Sequence, residues 1–581
     1  MKQSVNTDQW DNHLKETLEL WKAPGLAVVV LKDNEVVYSK GIGYRDIENK
    51  SEMTKDTIHP IASCTKSFTS TAIAMLVDEG KLEWNTPVQE FIPRFRLKDQ
   101  VASSHVTIVD MLSHRTGLPR HDLVWINNEF TYDQILDRLP HLVPSADIRM
   151  KFQYCNLMYL AASVIIEELS GMSYNEFITK RIFKPLGMKD SNFSITDMQK
   201  TPNYAKPYKI DYQKEEFDIV QCEFVVNDSA IGAGCINASI DDMGKWLAFH
   251  LGNGKFRNKQ LVSPVNLRMT HNPVIIESAE GLLGAYIQDQ KWIRMQTMAL
   301  GWGGQMYRGY RKVTHSGSID GSSSRMAFFP DEGIGVMTIV NQSYSFLPIA
   351  TSFHLIDSLL GIEPVDWNEV IKPLEDNQTK MIKESGEKSQ EFRKTDTQPT
   401  HDLQEYAGKY HHPGYGNFIF YMEKDALKAR LGTINYPLTH YHYDTFQFEE
   451  TRFDYKELLT FQTDSNGDII GFSIKVEDTL PPILFKRRPD EHLKDKEFLK
   501  TLIGKYDVAG QILEIVLQRD DTIIAVSPGQ PPVELEGVRD MRFKTKNSDS
   551  FSITFKKDAS GNISEFLYTG MGAVIPAKRI S

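Results

Sequence analysis

Cysteine is scarce: Cys64, Cys155, Cys222 and Cys235 are the only four in 581 residues. No two form a C-x-x-C pair, which argues against a zinc site or a disulfide framework. Cysteine use this sparse fits a reducing compartment. Long apolar runs are also missing, and none reaches the roughly 18 residues of a membrane span. The N-terminal MKQSVNTDQWDNHLKETLEL has neither the apolar core nor the small-residue cleavage site of a signal peptide. The expectation is a cytoplasmic protein with no membrane partner. No strong basic tract offsets the net charge of −11, which argues against nucleic acid as a partner. His411-His412 and His440-Tyr-His442 have no third ligand at suitable spacing, so no metal or other cofactor is expected.

What is present is ordinary globular composition, 41% apolar and 25% charged, in a chain too long for one core. "LAVVVL" (Leu26–Leu31) and Val36–Lys40 flank Asp33-Asn34, the pattern of a β-hairpin. Helical periodicity follows at Phe68, Ala72 and Leu76 with a stop at Gly80, and again over Leu157–Leu169 before Gly171. Ser239 caps a third helix through His250. Strands are predicted at Lys312–His315, Met326–Phe329 and Ile334–Val340, the last two joined by a turn at Pro330–Gly333. Strands at both ends with helices between predict an α+β domain: an antiparallel sheet, flanking helices and an all-helical subdomain.

The character changes near Asp366. Residues 363–400 are polar and of mixed charge, and read as a surface helix followed by an extended linker. An internal repeat comes next. "LQEYAGKY" (Leu403–Tyr410) is echoed by "LKTLIGKY" (Leu499–Tyr506). "TFQTDSNGDIIGF" (Thr460–Phe472) is echoed by "TFKKDASGNISEF" (Thr554–Phe566), and "FKR" (Phe485–Arg487) by "AKR" (Ala577–Arg579). Alternating short strands in each copy predict two small all-β barrels, at 401–490 and 495–581.

Ser63 and Lys66 in "PIASCTKSFTS" (Pro60–Ser70) form S-x-x-K. That motif alone is weak, and a second one, Ser385–Lys388, sits in the polar linker. The first opens a helix whose other face must be buried, where i and i+3 side chains share a face and first-turn N–H groups are free to meet an oxyanion. A desolvated lysine there can serve as a base. The competing reading is Ser63 as a helix N-cap beside an exposed lysine. Two further segments weigh against it: Tyr154-x-Asn156 ahead of an apolar helix, and His315-Ser-Gly317 on a predicted strand.

The ordered set S-x-x-K, Y-x-N, H-x-G resembles the β-lactamase-related serine hydrolases, which include class C β-lactamases, penicillin-binding proteins, D-aminopeptidases and related esterases. "PGLAVVVLKDNEVVYSKGIGYRD" (Pro24–Asp46), "VTIVDMLSHRTGLP" (Val106–Pro119) and "LGWGGQMYRGYRKVTHSG" (Leu300–Gly317) carry the resemblance further, over residues 13–362. The two repeats look like the lipocalin-like barrels of D-aminopeptidase-type members. The resemblance implies Ser63 as acyl-accepting nucleophile and Lys66 as its activating partner. It implies Tyr154 as proton relay and Asn156 as an amide holding Lys66 and substrate. The oxyanion and substrate-binding positions it implies are Ser63, Gly317 and Ser318. Whether Lys66 or Tyr154 takes the first proton stays open, since the pair titrates together.

His315 stands where lactamases carry a lysine, and a mostly neutral histidine weakens the case for β-lactams and free C-termini. The implied activity is a serine hydrolase of small peptides, amides or esters, D-aminopeptidase-like. Alternatives are a carboxylesterase, a penicillin-binding protein or β-lactamase, and a non-catalytic sensor or scaffold that kept the fold. The implied partner is a small-molecule or short-peptide substrate, with homo-oligomerisation left open. Multidomain D-aminopeptidases also suggest a barrel loop leaning into the cleft. Cys64 and Cys155 read as small core residues inside the motifs rather than a redox switch.

Overall fold

The computed structural model describes residues 7–126, 130–211, 218–224, 230–277, 292–450, 455–465, 467–546, 551–570 and 572–581. Its centre is a nine-stranded antiparallel sheet. In chain order the strands are β1 (Gly25–Lys32), β2 (Glu35–Asp46), β3 (Ser51–Glu52), β4 (Ile275–Ile276), β5 (Ile293–Met298), β6 (Gly303–Tyr307), β7 (Tyr310–Ile319), β8 (Ser322–Phe329) and β9 (Ile334–Val340). They lie side by side as β4-β5-β6-β7-β8-β9-β1-β2-β3. The predicted hairpin forms β1 and β2, with Asp33 and Asn34 both at positive φ (52° and 66°), as a tight two-residue turn needs. β2 continues past the predicted Lys40 to Asp46.

β1 is apolar and buried along Gly25–Leu31 because helices cover both faces of the sheet. One face receives α1 (Thr7–Leu20), α5 (Leu347–Leu360) and the start of α6 (Trp367–Glu391), with Trp10, Phe353, Trp367 and Ile371 in its core. The other face receives α2 (Thr65–Asp78), α3 (Asn156–Ser170) and α4 (Ile240–Leu251). α2 is buried over nearly its whole length, so it runs through the core. Gly171 (φ 69°) ends α3, and the Ser239 hydroxyl caps α4 by accepting from Asp242 N–H.

Most of the polar stretch 363–400 is the 25-residue helix α6. Its first half is docked rather than extended. Trp367 Nε1 donates to Asp357, and the buried Glu375 carboxylate accepts from Phe346 N–H and the Ser345 hydroxyl. The Ser385 and Lys388 side chains lie outside the described residues.

The two repeats close as separate eight-stranded antiparallel barrels, Gly408–Arg487 and Gly504–Arg579. Their shared residues form the same latch. Arg487 donates to the Glu405 and Ala407 carbonyls at 2.7 and 2.6 Å, and Arg579 donates to the Thr501 and Ile503 carbonyls. Tyr410 and Tyr506 each donate back to a carbonyl four residues earlier. Aromatic rings fill the first barrel, including Phe418, Phe420, Phe461, Phe472 and Phe485. Its core is continuous with the α2 face of the sheet, whereas the second barrel has a core of its own. Among the described residues no helix is long and apolar enough to cross a membrane.

Candidate active site

A cavity of about 580 Å³ opens where the start of α2, the end of β7 and the chain before α3 converge. Ser63, Tyr154, Asn156, His315 and Ser318 all line it. Ser63 is not the first residue of α2. It sits in a 3₁₀ turn, Ala62–Cys64, that leads into the helix, and that turn has no side-chain cap. Ala62 before it has φ 47°, a left-handed conformation that costs a non-glycine residue about 1 kcal/mol or more.

The surrounding chain holds this turn in place. Ile61 N–H donates to the Ile236 carbonyl at 3.0 Å. Ser322 and Ser324 on β8 donate to the Pro60 and Ile61 carbonyls at 2.8 and 3.2 Å. A Cβ at Gly317 would collide with the Ile61 carbonyl oxygen, so the glycine of H-x-G is the residue that lets β7 approach the turn that carries Ser63.

Lys66 is fully buried. Its Nζ lies 3.1 Å from Ser63 Oγ and donates to the Ala233 carbonyl at 2.7 Å. The ammonium also sits 4.9 Å from the centre of the Tyr154 ring and 5.3 Å from that of Tyr159. Burial, reinforced by the Arg120 charge, brings its pKa down to about 7. Half-buried Tyr154 is within hydrogen-bonding reach of Ser63, and burial holds its phenol well above 10. At neutral pH the site thus pairs a lysine at its titration point with a protonated phenol, both on one hydroxyl.

Asn156 does not hold Lys66. Its Nδ2 donates to Asp122 Oδ1 at 3.0 Å, and the Ala233 carbonyl takes the place expected for the amide. His315 is buried, with Nδ1 2.6 Å from the Ser316 carbonyl oxygen. A carbonyl can only accept, so the neutral ring carries its proton on Nδ1 and keeps Nε2 as an acceptor. Burial, with the Lys66 charge, lowers its pKa to about 3, so it supplies no cation at working pH. Cys64 and Cys155 are buried thiols raised to about 11 and 12 by desolvation, which makes them poor nucleophiles.

Several residues around the site carry no motif. His114 stacks on Tyr154 with ring centres 4.3 Å apart, and its Nδ1 accepts from Cys155 N–H at 3.1 Å. Asp122 accepts from Asn156, Trp125 and Arg120, and all four line the cavity. His121, between Arg120 and Asp122, is held by the first barrel. Its N–H donates to the Glu477 carboxylate, and its Nδ1 lies 2.6 Å from the Tyr415 hydroxyl. Arg138 donates to the Pro413 carbonyl at 2.9 Å beside it. The barrel segment nearest the site is therefore 413–415 together with Glu477; it holds His121 behind the cavity wall, and no described barrel residue lines the cavity. His440–Phe446 is strand and turn elsewhere on the barrel.

A family model described as Beta-lactamase matches residues 10–357, and one for a domain of unknown function (DUF3471) matches residues 393–487. Among curated proteins, unguisins hydrolase ungD' of Aspergillus campestris is 30% identical over 430 residues, covering 69% of this chain and 75% of that protein. Protein flp of Staphylococcus aureus is 26% identical over 344 residues, 58% of this chain and 64% of its own. Among solved structures, the octameric penicillin-binding protein homologue from Pyrococcus abyssi is similar with a TM-score of 0.55. It is 23% identical and covers 83% of this chain and 100% of that one, a likeness of fold alone.

Proposed function

The chain belongs to the β-lactamase family, and we propose that it is a serine hydrolase that cleaves small peptides, amides or esters through an acyl-enzyme on Ser63. The observation that carries this reading is the buried Lys66, held 3.1 Å from Ser63 Oγ with a pKa brought down to about 7. A base is most useful when it titrates near working pH. The names of the Aspergillus relatives, hydrolases of unguisins, support hydrolysis as the reaction class.

In the first step Ser63 Oγ attacks the substrate carbonyl carbon while its proton passes to neutral Lys66, directly or through Tyr154. The C–Oγ bond forms and the carbonyl oxygen becomes an oxyanion, met by the backbone N–H groups of Ser63 and Ser318. The bond to the leaving nitrogen or oxygen breaks as the Lys66–Tyr154 pair returns the proton to it. Water then adds to the ester, gives its proton to the same pair and releases the acid with Ser63 restored. His315 lines the cavity as a neutral ring whose buried Nε2 has no hydrogen-bond partner among the described residues, and a neutral ring in place of a cation supports the amide and D-aminopeptidase-like branch.

The test is a panel of simple esters and D-aminoacyl anilides with wild type and Ser63→Ala. Turnover by wild type and its loss in Ser63→Ala is expected. Failure of the wild type on the whole panel would favour a sensor or scaffold that kept the fold.

A further inference from the structure

His114 follows the short helix Ile108–Leu112 and has φ 58°, a left-handed conformation that a non-glycine residue keeps only where its surroundings impose it. The turn is pinned through the fully buried Asp110. Its carboxylate accepts from Arg115 Nε at 2.6 Å and from Arg149 Nε and Nη2 at 2.9 and 2.7 Å. Held in this way, His114 meets the Tyr154 segment with its backbone and its side chain. Its carbonyl accepts from Gln153 N–H at 2.7 Å, and its Nδ1 accepts from Cys155 N–H at 3.1 Å. Its ring stacks on the phenol ring with centres 4.3 Å apart. One residue therefore ties the peptide on both sides of Tyr154 and sets the plane of the ring between them.

The imidazole does this in a single form. A backbone N–H can only donate, so Nδ1 is bare and the proton of the neutral ring is on Nε2. Nε2 is buried with no hydrogen-bond partner among the described residues, which is costly. A phenylalanine would fill the same space without that cost; what the imidazole adds is the acceptor for Cys155 N–H. Burial, followed by the Lys66 charge, holds the ring well below its usual pKa, so acceptor and stack persist together at working pH. We propose that His114 is the positioning residue for Tyr154, fixing its hydroxyl against Ser63 for the proton relay, so that loss of the histidine slows proton transfer and leaves substrate binding intact. This rests on the acyl-enzyme reading above and assigns a residue to its relay step.

His114→Asn tests it, because asparagine tolerates a positive φ and offers an acceptor oxygen but no ring. With phenyl acetate and D-alanine p-nitroanilide, kcat should fall by about ten- to a hundredfold, the cost of a misplaced catalytic group. KM should stay within about threefold. In a Tyr154→Phe background the same substitution should change kcat by less than about twofold, since the hydroxyl it positions is gone. Equal fold-losses in the two backgrounds, or no loss in the first, would overturn the proposal. If His114→Asn does not fold, His114→Phe carries the same cycle, with the acceptor removed in place of the ring. Fluorine NMR reads the positioning without turnover. In protein labelled with 3-fluorotyrosine, the Tyr154 signal is the one that Tyr154→Phe removes, and it should move and broaden in the His114 variant. A signal unchanged in position and width would also overturn the proposal. Absence of hydrolysis by wild type would sink the acyl-enzyme reading, while the fluorine signal still answered for His114.

Discussion

The two faces of the central sheet each bury a lysine, and the pair is instructive. Lys66 and Lys312 are both fully buried, both have their pKa lowered chiefly by desolvation, and both lie over two aromatic rings. They differ in what the amine meets. Lys66 Nζ touches Ser63 Oγ beside the cavity. Lys312 Nζ, packed against Tyr307 and Phe353 on the α5 face, has no hydrogen-bond partner among the described residues. A depressed pKa is thus a property of burial, and a base is a property of placement.

The largest expected difference between them is in activity. Lys66→Met should lower kcat/KM by about a thousandfold, within the usual range for removing a general base. Lys312→Met should change it by no more than about threefold. Equal losses in the two variants, with folding intact by circular dichroism, would break the distinction.

Stability should separate them in the other direction. Lys312 binds its proton more weakly in the folded chain than in the unfolded one. Its stability penalty is therefore full below the folded pKa and vanishes as pH rises to the unfolded value. Lys312→Met should raise thermal stability at pH 7 by about 1–4 kcal/mol, as replacement of buried charges by apolar groups often does. The gain should shrink toward pH 10. A loss at pH 7 would mean that the amine stabilises the fold.

A smaller effect concerns the Lys66 environment alone. kcat/KM should climb with pH through about 7 as Lys66 loses its proton, with no fall before pH 9 because Tyr154 stays protonated. Arg120 lowers the Lys66 pKa, so Arg120→Gln should move that limb to higher pH. A limb that does not move would assign the titration to another group.

The smallest effect lies furthest from the serine. Tyr415→Phe removes a hydroxyl of the first barrel from His121, and kcat should fall by about fivefold or less, the order of one net hydrogen bond. No change at all would make the barrel contact purely architectural.

The Ser63 side of the cavity was legible in the sequence because its residues sit at short fixed spacings ahead of recognisable elements. Ser63 and Lys66 are i and i+3, Tyr154 and Asn156 bracket the start of an apolar helix, and Gly317 needs its missing Cβ. The rest of the wall was not legible. Arg325 reaches the cavity through strand register, and Asp122 binds Asn156 from a 3₁₀ turn 34 residues away. Arg120 and His114 act on Lys66 and Tyr154 across packing that no spacing encodes. The same holds for the fold. Periodicity and the internal repeat announce the hairpin, the helices and both barrels. The docking of α6 depends on a buried Glu375 that reads as a surface residue until its partners at Ser345 and Phe346 are known.

Activation of Ser63 by neutral Lys66 can be read from the rate of Ser63 modification by a fluorophosphonate as a function of pH, with the site mapped by mass spectrometry. Modification at Ser63 is expected, rising to half its plateau near pH 7, and lost together with that pH dependence in Lys66→Met. Modification elsewhere in the chain, or a rate at Ser63 that is flat from pH 5 to 9 and unchanged in Lys66→Met, would contradict it.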